Sequence, residues 1–411
     1  MAESAAHLPP LLTPTEIAAF STSLGLPKPT QSEALTVTAA FHSIYLLHFP
    51  PSAAAHLAPA RPNGDGTTTL VLRVAGPHLP RIKTENEVAV MRWVREHTSV
   101  PVPAVLRWDA SSDNALGYEF TLLERVPGSS AEKVFWGLGE SARRRLVEQL
   151  VGFLAELWER SEGVWRHVGG LRVGEGGEVV PGPVVDEWFW MEPEIKRYWG
   201  GLTGGGEGLD AAGGETPETL NPVGGAFSSW AEHLDVSVEK YVYAIGRHPL
   251  LEWMRDLVPR LEAYREYVRV HAGEVDDTRY VLAHRDLHLA NVMVDGEGTV
   301  TGILDWEFGG VVPGPRWDPP NAFLYPWGGG KDEQVEKAER DLMRGWAREI
   351  CREKGIEVEV VAGWPYRGIQ ETVQRVVNFT RAICEASPKG QGDKARAWRV
   401  SLESELAKLG L

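Results

Sequence analysis

The residues best equipped for chemistry lie close together late in the chain. His284, Arg285, Asp286 and Leu287 are consecutive, Asn291 follows after three more residues, and Asp305 closes an apolar stretch beyond it. A carboxylate on a loop can accept the proton of an attacking hydroxyl, so Asp286 is the candidate base. An asparagine and a second aspartate offer hard oxygen donors, which suit Mg²⁺ when phosphate and water complete its shell. Asn291 and Asp305 are the candidate ligands. Their use together requires one particular element. An apolar run follows Asn291, residues 295–298 have turn composition, and Val300 to Leu304 is apolar again. A β-hairpin of that length brings Asn291 and Asp305 to the same open end, with Asp286 on the loop just before it.

Two blander readings stand beside this one. His284 and Asp286 could be structural, with the hairpin merely a hairpin. His284 and His288 could also be zinc ligands, but the zinc-protease motif needs Glu directly after the first His and a helix beneath both. Here Arg285 takes that place, and the context is strand, loop, strand.

Stepping outward, Thr13 and Pro14 ahead of Glu16 have the composition of a capped helix start. Residues 42–49, 67–74, 104–108 and 118–123 are β-branched and aromatic and read as strands. Residues 85–97 place Val88, Met91 and Val94 at intervals of three, which predicts a helix. Residues 1–125 are therefore expected to form a small α+β lobe, closed by the breaker from Val126 to Ser130. Residues 126–411 are expected to form a larger, mainly helical lobe, with helices near 141–160, 251–270, 332–354 and 366–386. A glycine-dense segment at about 199–230 reads as an insertion unable to offset its ordering entropy by burial.

Composition narrows the partners. The 411 residues carry 42 Lys and Arg against 57 Asp and Glu, a net charge of −15. Such a chain repels nucleic-acid backbone and anionic lipid, and its basic runs do not exceed Arg143-Arg144-Arg145. A cationic or neutral small molecule is the better-matched partner. Two cysteines, Cys351 and Cys384, make neither a disulfide framework nor a structural zinc site. The first residues lack a basic leader, and the uncharged stretch 34–60 is interrupted by His and Pro, so a soluble, cytoplasmic protein is expected. The 16 tryptophans are read as packing residues in preference to a cation-binding box.

His284 to Asn291 matches the H-R-D-L-x-x-x-N pattern of kinase catalytic loops residue for residue. With the hairpin and Asp305, the sequence resembles the aminoglycoside phosphotransferase family of protein-kinase-like small-molecule kinases, including choline-kinase-like members. The resemblance covers about residues 35–325 and is strongest at 280–308. It implies a two-lobed α+β fold with a small antiparallel-sheet N-lobe and a mainly helical C-lobe. It implies ATP and Mg²⁺ in the cleft and phosphoryl transfer to a hydroxyl of a small molecule. By position Asp286 resembles the family's base, Asn291 and Asp305 its metal ligands, and Asp318 an acid that props up the catalytic loop.

The same template asks the small lobe for a strand cation near the phosphates and a helix Glu to hold it. Leu70, Leu72 and Val74 share one face of their strand, so Arg73 lies on the other, and Glu87 opens the next helix. Family members often carry Lys where Arg73 stands. Leu122 to Val126 resembles the hinge between lobes, where backbone groups of Glu124 and Val126 would meet adenine. The stretch equivalent to the phosphate-covering loop, residues 37–43, contains no glycine. That absence, with Arg73, supports an alternative: a catalytically inactive kinase-fold module that binds nucleotide or metabolite. A protein kinase is disfavoured, since Asp305-Trp306-Glu307 stands in place of D-F-G.

Overall fold

A computed structural model describes residues 8–35, 41–200, 214–317 and 332–411. Thr13 caps helix α1 (Pro14–Ser23) in a reciprocal capping box with Glu16, as its sequence predicts. Ile17 and Phe20 of this helix are buried against the sheet that follows, Phe20 edge-on to Phe120 with ring centroids 4.8 Å apart.

That sheet has five strands: β1 (Gln31–Ala34), β2 (His42–Phe49), β3 (Thr68–Ala75), β4 (Val105–Asp109) and β5 (Phe120–Glu124). Their order is β1-β2-β3-β5-β4, every pairing antiparallel. Alternation sends Tyr45, Leu47, Leu70, Leu72 and Leu122 into the core shared with α1. Arg73, opposite Ile44 and Thr121 in the ladder, is displayed on the other face.

Helix α2 (Ile82–His97) covers that second face. Its apolar residues do not belong to the sheet core. Val90, Met91 and Val94 pack instead in one continuous core with Leu146, Leu150 and Leu154 of the helix Glu140–Ser161, and with Val281 and Ile303 near the catalytic loop. Asn86 fixes the same junction: its amide donates to the carbonyls of Glu307 (2.9 Å) and Gly309 (2.8 Å) and accepts from the Leu171 amide (2.7 Å). The helix that carries Glu87 is thus anchored on the large lobe and presents its charged edge to the sheet.

The large lobe is mainly helical. The stretch expected as one helix at 251–270 is two elements, a 3₁₀ segment Pro249–Leu257 and an α-helix Val258–Val270. Pro259 lacks an N–H and is tolerated only in a first turn, so the helix starts afresh there. Helices Trp230–Arg247 and Gly392–Lys408 were not anticipated from the sequence. The expectation of a loose insertion at about 199–230 needs correction for its described part. Leu220, Phe227 and Trp230 are buried, and Asn221 exchanges two hydrogen bonds with the Trp190 backbone (2.7 and 3.0 Å). Glycine content there misled because the apolar residues between the glycines supply a packing face. Residues 201–213 lie outside the described residues. Among the described residues no helix is long and apolar enough to cross a membrane.

The hairpin expected after Asn291 is present. Val292–Val294 pairs antiparallel with Val300–Ile303, and Asp295 closes the turn by accepting from the amides of Glu297 (2.9 Å) and Thr299 (2.8 Å). Gly128, at φ 100°, lies so close to this hairpin that a Cβ would strike the Val294 carbonyl. The crossing between lobes therefore rests directly on the catalytic hairpin.

Candidate active site

The strand Tyr280–Ala283 pairs with Gly310–Pro313 and delivers His284 into the catalytic loop. His284 Nε2 lies 2.8 Å from the Leu304 carbonyl, which can only accept, so Nε2 carries the proton. Nδ1 is then the acceptor for the Asp286 amide at 3.2 Å. With both ring nitrogens engaged and the ring packed at a tilt against Trp306 (centroids 4.4 Å apart), His284 is a structural pin and not a zinc ligand. Burial holds its pKa below the usual imidazole range, which keeps it neutral.

Arg285 and Asp305 both have positive φ, 69° and 66°, a conformation that side chains other than glycine adopt at a cost. Arg285 is held there by the Val185 carbonyl (2.7 Å) and by the Asp186 carboxylate (2.5 Å). The turn at Arg285 sets Asp286, whose side chain is 42% exposed, at the mouth of a cleft of about 1040 Å³. Asn291 donates its amide to the Asp286 carbonyl (2.9 Å) and carboxylate (3.1 Å). The Asn291 backbone carbonyl meanwhile accepts from the Leu304 backbone amide at 2.8 Å. One asparagine thus binds the candidate base to the strand end that carries Asp305. His288 lies 3.5 Å from the other Asp286 oxygen, and this contact raises its pKa.

From the sheet of the small lobe, Arg73 meets Glu87 through a close ion pair and reaches Asp305 Oδ1 at 2.8 Å. The structure therefore brings together Arg73, Glu87, Asp286, Asn291 and Asp305. Burial works against the Arg73 charge, but Glu87, Asp305 and Glu307 outweigh it and raise its pKa further. Burial raises Glu87, with Arg73 opposing. Asp305 ends below its usual value because Arg73 overcomes the effect of burial.

Three residues of this cluster were missed in the sequence: His42, Lys83 and Glu307. Lys83 is fully buried and donates to Glu307 (2.9 Å), with His42 Nε2 at 3.0 Å. The signal was available. Lys83 precedes Glu87 by four residues and so shares its helix face, but the helix was expected to begin at residue 85 and begins at Ile82. Burial pushes Glu307 up to about 7, Lys83 opposing and Asp305 adding to the rise.

At the hinge, the Glu124 carboxylate accepts from Arg61 and from the Ala104 amide (3.2 Å), and the Glu124 amide donates to the Ala104 carbonyl (2.8 Å). Val126 is buried beside Gly302, where a Cβ would stand 2.6 Å from its methyl. Asp318 and residues 37–40 of the glycine-free loop fall outside the described residues.

For Mg²⁺ the donor set fits. Asn291 turns its side-chain nitrogen to Asp286, which leaves its amide oxygen as a hard donor, and Asp305 at the end of the hairpin supplies a carboxylate, two donors of the kind that phosphate and water complete.

A five-stranded antiparallel sheet with one helix, set on a mainly helical lobe with a loop and hairpin of this kind, is a protein-kinase-like fold. The family model described as the phosphotransferase enzyme family matches residues 62–316, and the chain belongs to that family. It is 25% identical over 244 residues to the clavilactone A biosynthesis cluster protein Y of Ampulloclitocybe clavipes, covering 56% of this chain and 50% of that one. It is 27% identical over 134 residues to a subtelomeric hrmA-associated cluster protein of Aspergillus fumigatus, covering 30% of this chain and 25% of that protein. The match thus spans half or less of either relative. A streptomycin–ATP ternary complex of APH(2")-IIa aligns over 97% of both chains at 12% identity, with a TM-score of 0.47.

Proposed function

We propose that this chain transfers the γ-phosphoryl group of ATP to a hydroxyl of a small molecule. The observation that carries the reading is the Asn291 bridge, which ties the Asp286 carboxylate to the strand end that carries Asp305, itself bonded to Arg73 and through it to Glu87. Asp286 takes the proton of the acceptor hydroxyl. The hydroxyl oxygen bonds to the γ-phosphorus as the bond to the β–γ bridging oxygen breaks, and ADP leaves. Arg73 Nε, buried without a hydrogen-bond partner among the described residues, is a donor that a phosphate oxygen would satisfy. Asn291 and Asp305 would hold Mg²⁺, which supplies charge neutralisation at the phosphates. At the hinge the Glu124 amide is committed to Ala104, so adenine would be met by the Glu124 carbonyl and the Val126 amide.

The test is transfer of label from Mg²⁺-γ-³²P-ATP across a panel of hydroxylated acids, sugars, sugar phosphates, amines and antibiotics. Label transfer that requires magnesium and is lost in Asp286→Asn supports the reading. Nucleotide binding without transfer to any acceptor would overturn it.

A second reading, an inactive nucleotide- or metabolite-binding module, is favoured by one feature. A guanidinium that keeps its proton at all working pH values bonds Asp305 Oδ1, an oxygen the metal would use. That reading requires magnesium-independent ligand binding that survives Asp286→Ala.

A further inference from the structure

The cleft in front of Asp286 has an uneven charge. Near the catalytic loop it is lined by Asp186, Glu187 and Asp286, with Arg285 neutralised by Asp186 at 2.5 Å. Its remaining charged lining is basic: Arg316, from the turn Gly314–Arg316, and Arg344 and Arg348, from the helix Glu333–Lys354.

The two helix arginines belong to a longer row. Arg340, Arg344, Arg348 and Arg352 recur every four residues, so they share one face of that helix. Like charges at this spacing destabilise a helix unless something neutralises them. Three of the helix's own acids are committed elsewhere. Glu339 pairs with Arg143 (2.7 Å), and Glu349 and Glu353 pair with Arg144 (2.7 and 3.6 Å), both from the neighbouring helix. Arg344 reaches Asp341 at 3.6 Å. Arg348 and Arg316 make no hydrogen bond or ion pair with any described residue, and both are exposed to the cleft. The Arg316 charge is felt nearby: burial first, then Arg316 and Arg285, hold His233 down at about 4. In a chain of net charge −15, arginines from two elements that converge on one cavity without an ion pair among the described residues are a local inversion of sign. Trp188, 57% exposed, and the half-buried Tyr366 add aromatic surface to the same lining.

We infer that the acceptor is an anionic small molecule, a hydroxylated compound bearing a carboxylate or phosphate. Arg348 and Arg316 hold its oxyanion while its hydroxyl is presented to Asp286. Guanidinium forks match the planar oxygens of a carboxylate and the oxygens of a phosphate, and a cleft wall shields the pair from water. This assignment rests on the phosphotransferase reading and departs from the cationic or neutral acceptor that overall charge suggested.

The test uses matched pairs with the full chain and Mg²⁺-ATP: aromatic hydroxy acids against their methyl esters, sugar phosphates against the parent sugars, and amino sugars as the cationic arm. The anionic member of a pair should show at least tenfold higher kcat/KM than its neutral partner. Arg348→Gln and Arg316→Gln should each raise KM for the anionic member tenfold or more and leave KM for the neutral member within twofold. The two anionic series separate a carboxylate from a phosphate ligand. Equal kcat/KM within pairs, or preference for amino sugars, overturns the inference while phosphoryl transfer itself stands. If no compound accepts phosphate, the phosphotransferase reading fails. Tryptophan-fluorescence titration with the same pairs then decides this one: tighter binding of the anionic member, lost in Arg348→Gln, supports it, and equal binding overturns it.

Discussion

Arg73 and Asp305 stand 232 residues apart in the chain and are joined by a 2.8 Å charge-assisted hydrogen bond. The first lies on the third strand of the sheet, the second at the end of the catalytic hairpin. Their contact joins the two lobes, and Glu87 and Glu307 flank it.

Asp286→Ala is expected to lower kcat at least 100-fold and leave the KM for ATP within twofold, because in the proposed reaction its carboxylate serves the acceptor hydroxyl and not the nucleotide. Positioned base catalysis typically contributes 10²–10⁴-fold. Steady-state kinetics with the best acceptor checks this; retention of a tenth of the wild-type kcat would remove Asp286 from its role.

Asn291→Ala and Asp305→Ala should both weaken Mg²⁺-ATP binding, Asp305→Ala more, since it removes a charge as well as a donor. Calorimetric titration with and without magnesium measures the difference. Unchanged affinity in Asp305→Ala at millimolar magnesium would place the metal elsewhere.

Arg73→Ala and Glu87→Ala should each cost tenfold or more in kcat/KM for ATP, about 1.4 kcal/mol, and the double variant much less than the sum. Arg73→Lys separates two possibilities. A site that merely tolerates Arg keeps its activity with Lys, whereas one built on the guanidinium contacts to both Glu87 and Asp305 loses it.

Lys83→Met leaves Glu307 buried without its 2.9 Å partner and should destabilise the fold by roughly 3 kcal/mol, the usual consequence of breaking a buried pair. Because Glu307 titrates at about 7, protonation relieves part of the loss, so the penalty should be larger at pH 8 than at pH 6. Urea denaturation of Lys83→Met and of Lys83→Met with Glu307→Gln tests this: the double variant should recover most of the stability. A single variant as stable as wild type at pH 8 contradicts the pairing.

The buried His42 has its pKa pushed well below 6.5 by burial first and then by Lys83 and Arg73. A histidine depressed in the folded state binds fewer protons there than when unfolded. Its contribution is complete above pH 6.5 and is lost as pH falls below that value. Wild type should therefore lose stability on acidification from 6.5, and His42→Gln should show a shallower decline. Parallel pH profiles of the two proteins would show that His42 does not titrate in this way.

Much of the site was legible because its information is local. The spacing from His284 to Asn291, the turn at Asp295 and the return to Asp305 fix a loop and hairpin with few other ways to fold. The strand alternation around Arg73 fixed its face. Lys83 and His42 were not legible in the same way. His42 lies in a strand and Lys83 shares the helix face of Glu87, but only the packing of α2 under the sheet buries both beside Glu307. The buried part of 214–230 escaped for a related reason: glycine frequency is a local average, while burial depends on which distant surface receives Leu220, Phe227 and Trp230.

What the sequence determined by itself was therefore the set of candidates: a carboxylate on a loop, two oxygen donors at the ends of a hairpin and a strand cation, in periodicities that fix the local strands and helices around them. What the tertiary structure alone decided was the electrostatic setting. Ion pairs form between residues far apart in the chain, and burial changes what each charge costs, so no window of sequence shows which arginine is neutralised. Arg143 and Arg144 are paired with Glu339 and Glu349 of the helix packed beside them, while Arg316 and Arg348 converge on the cleft without such partners among the described residues. In the linear chain these arginines look alike; the fold separates them because a charge is balanced only by what is brought within a few ångströms of it.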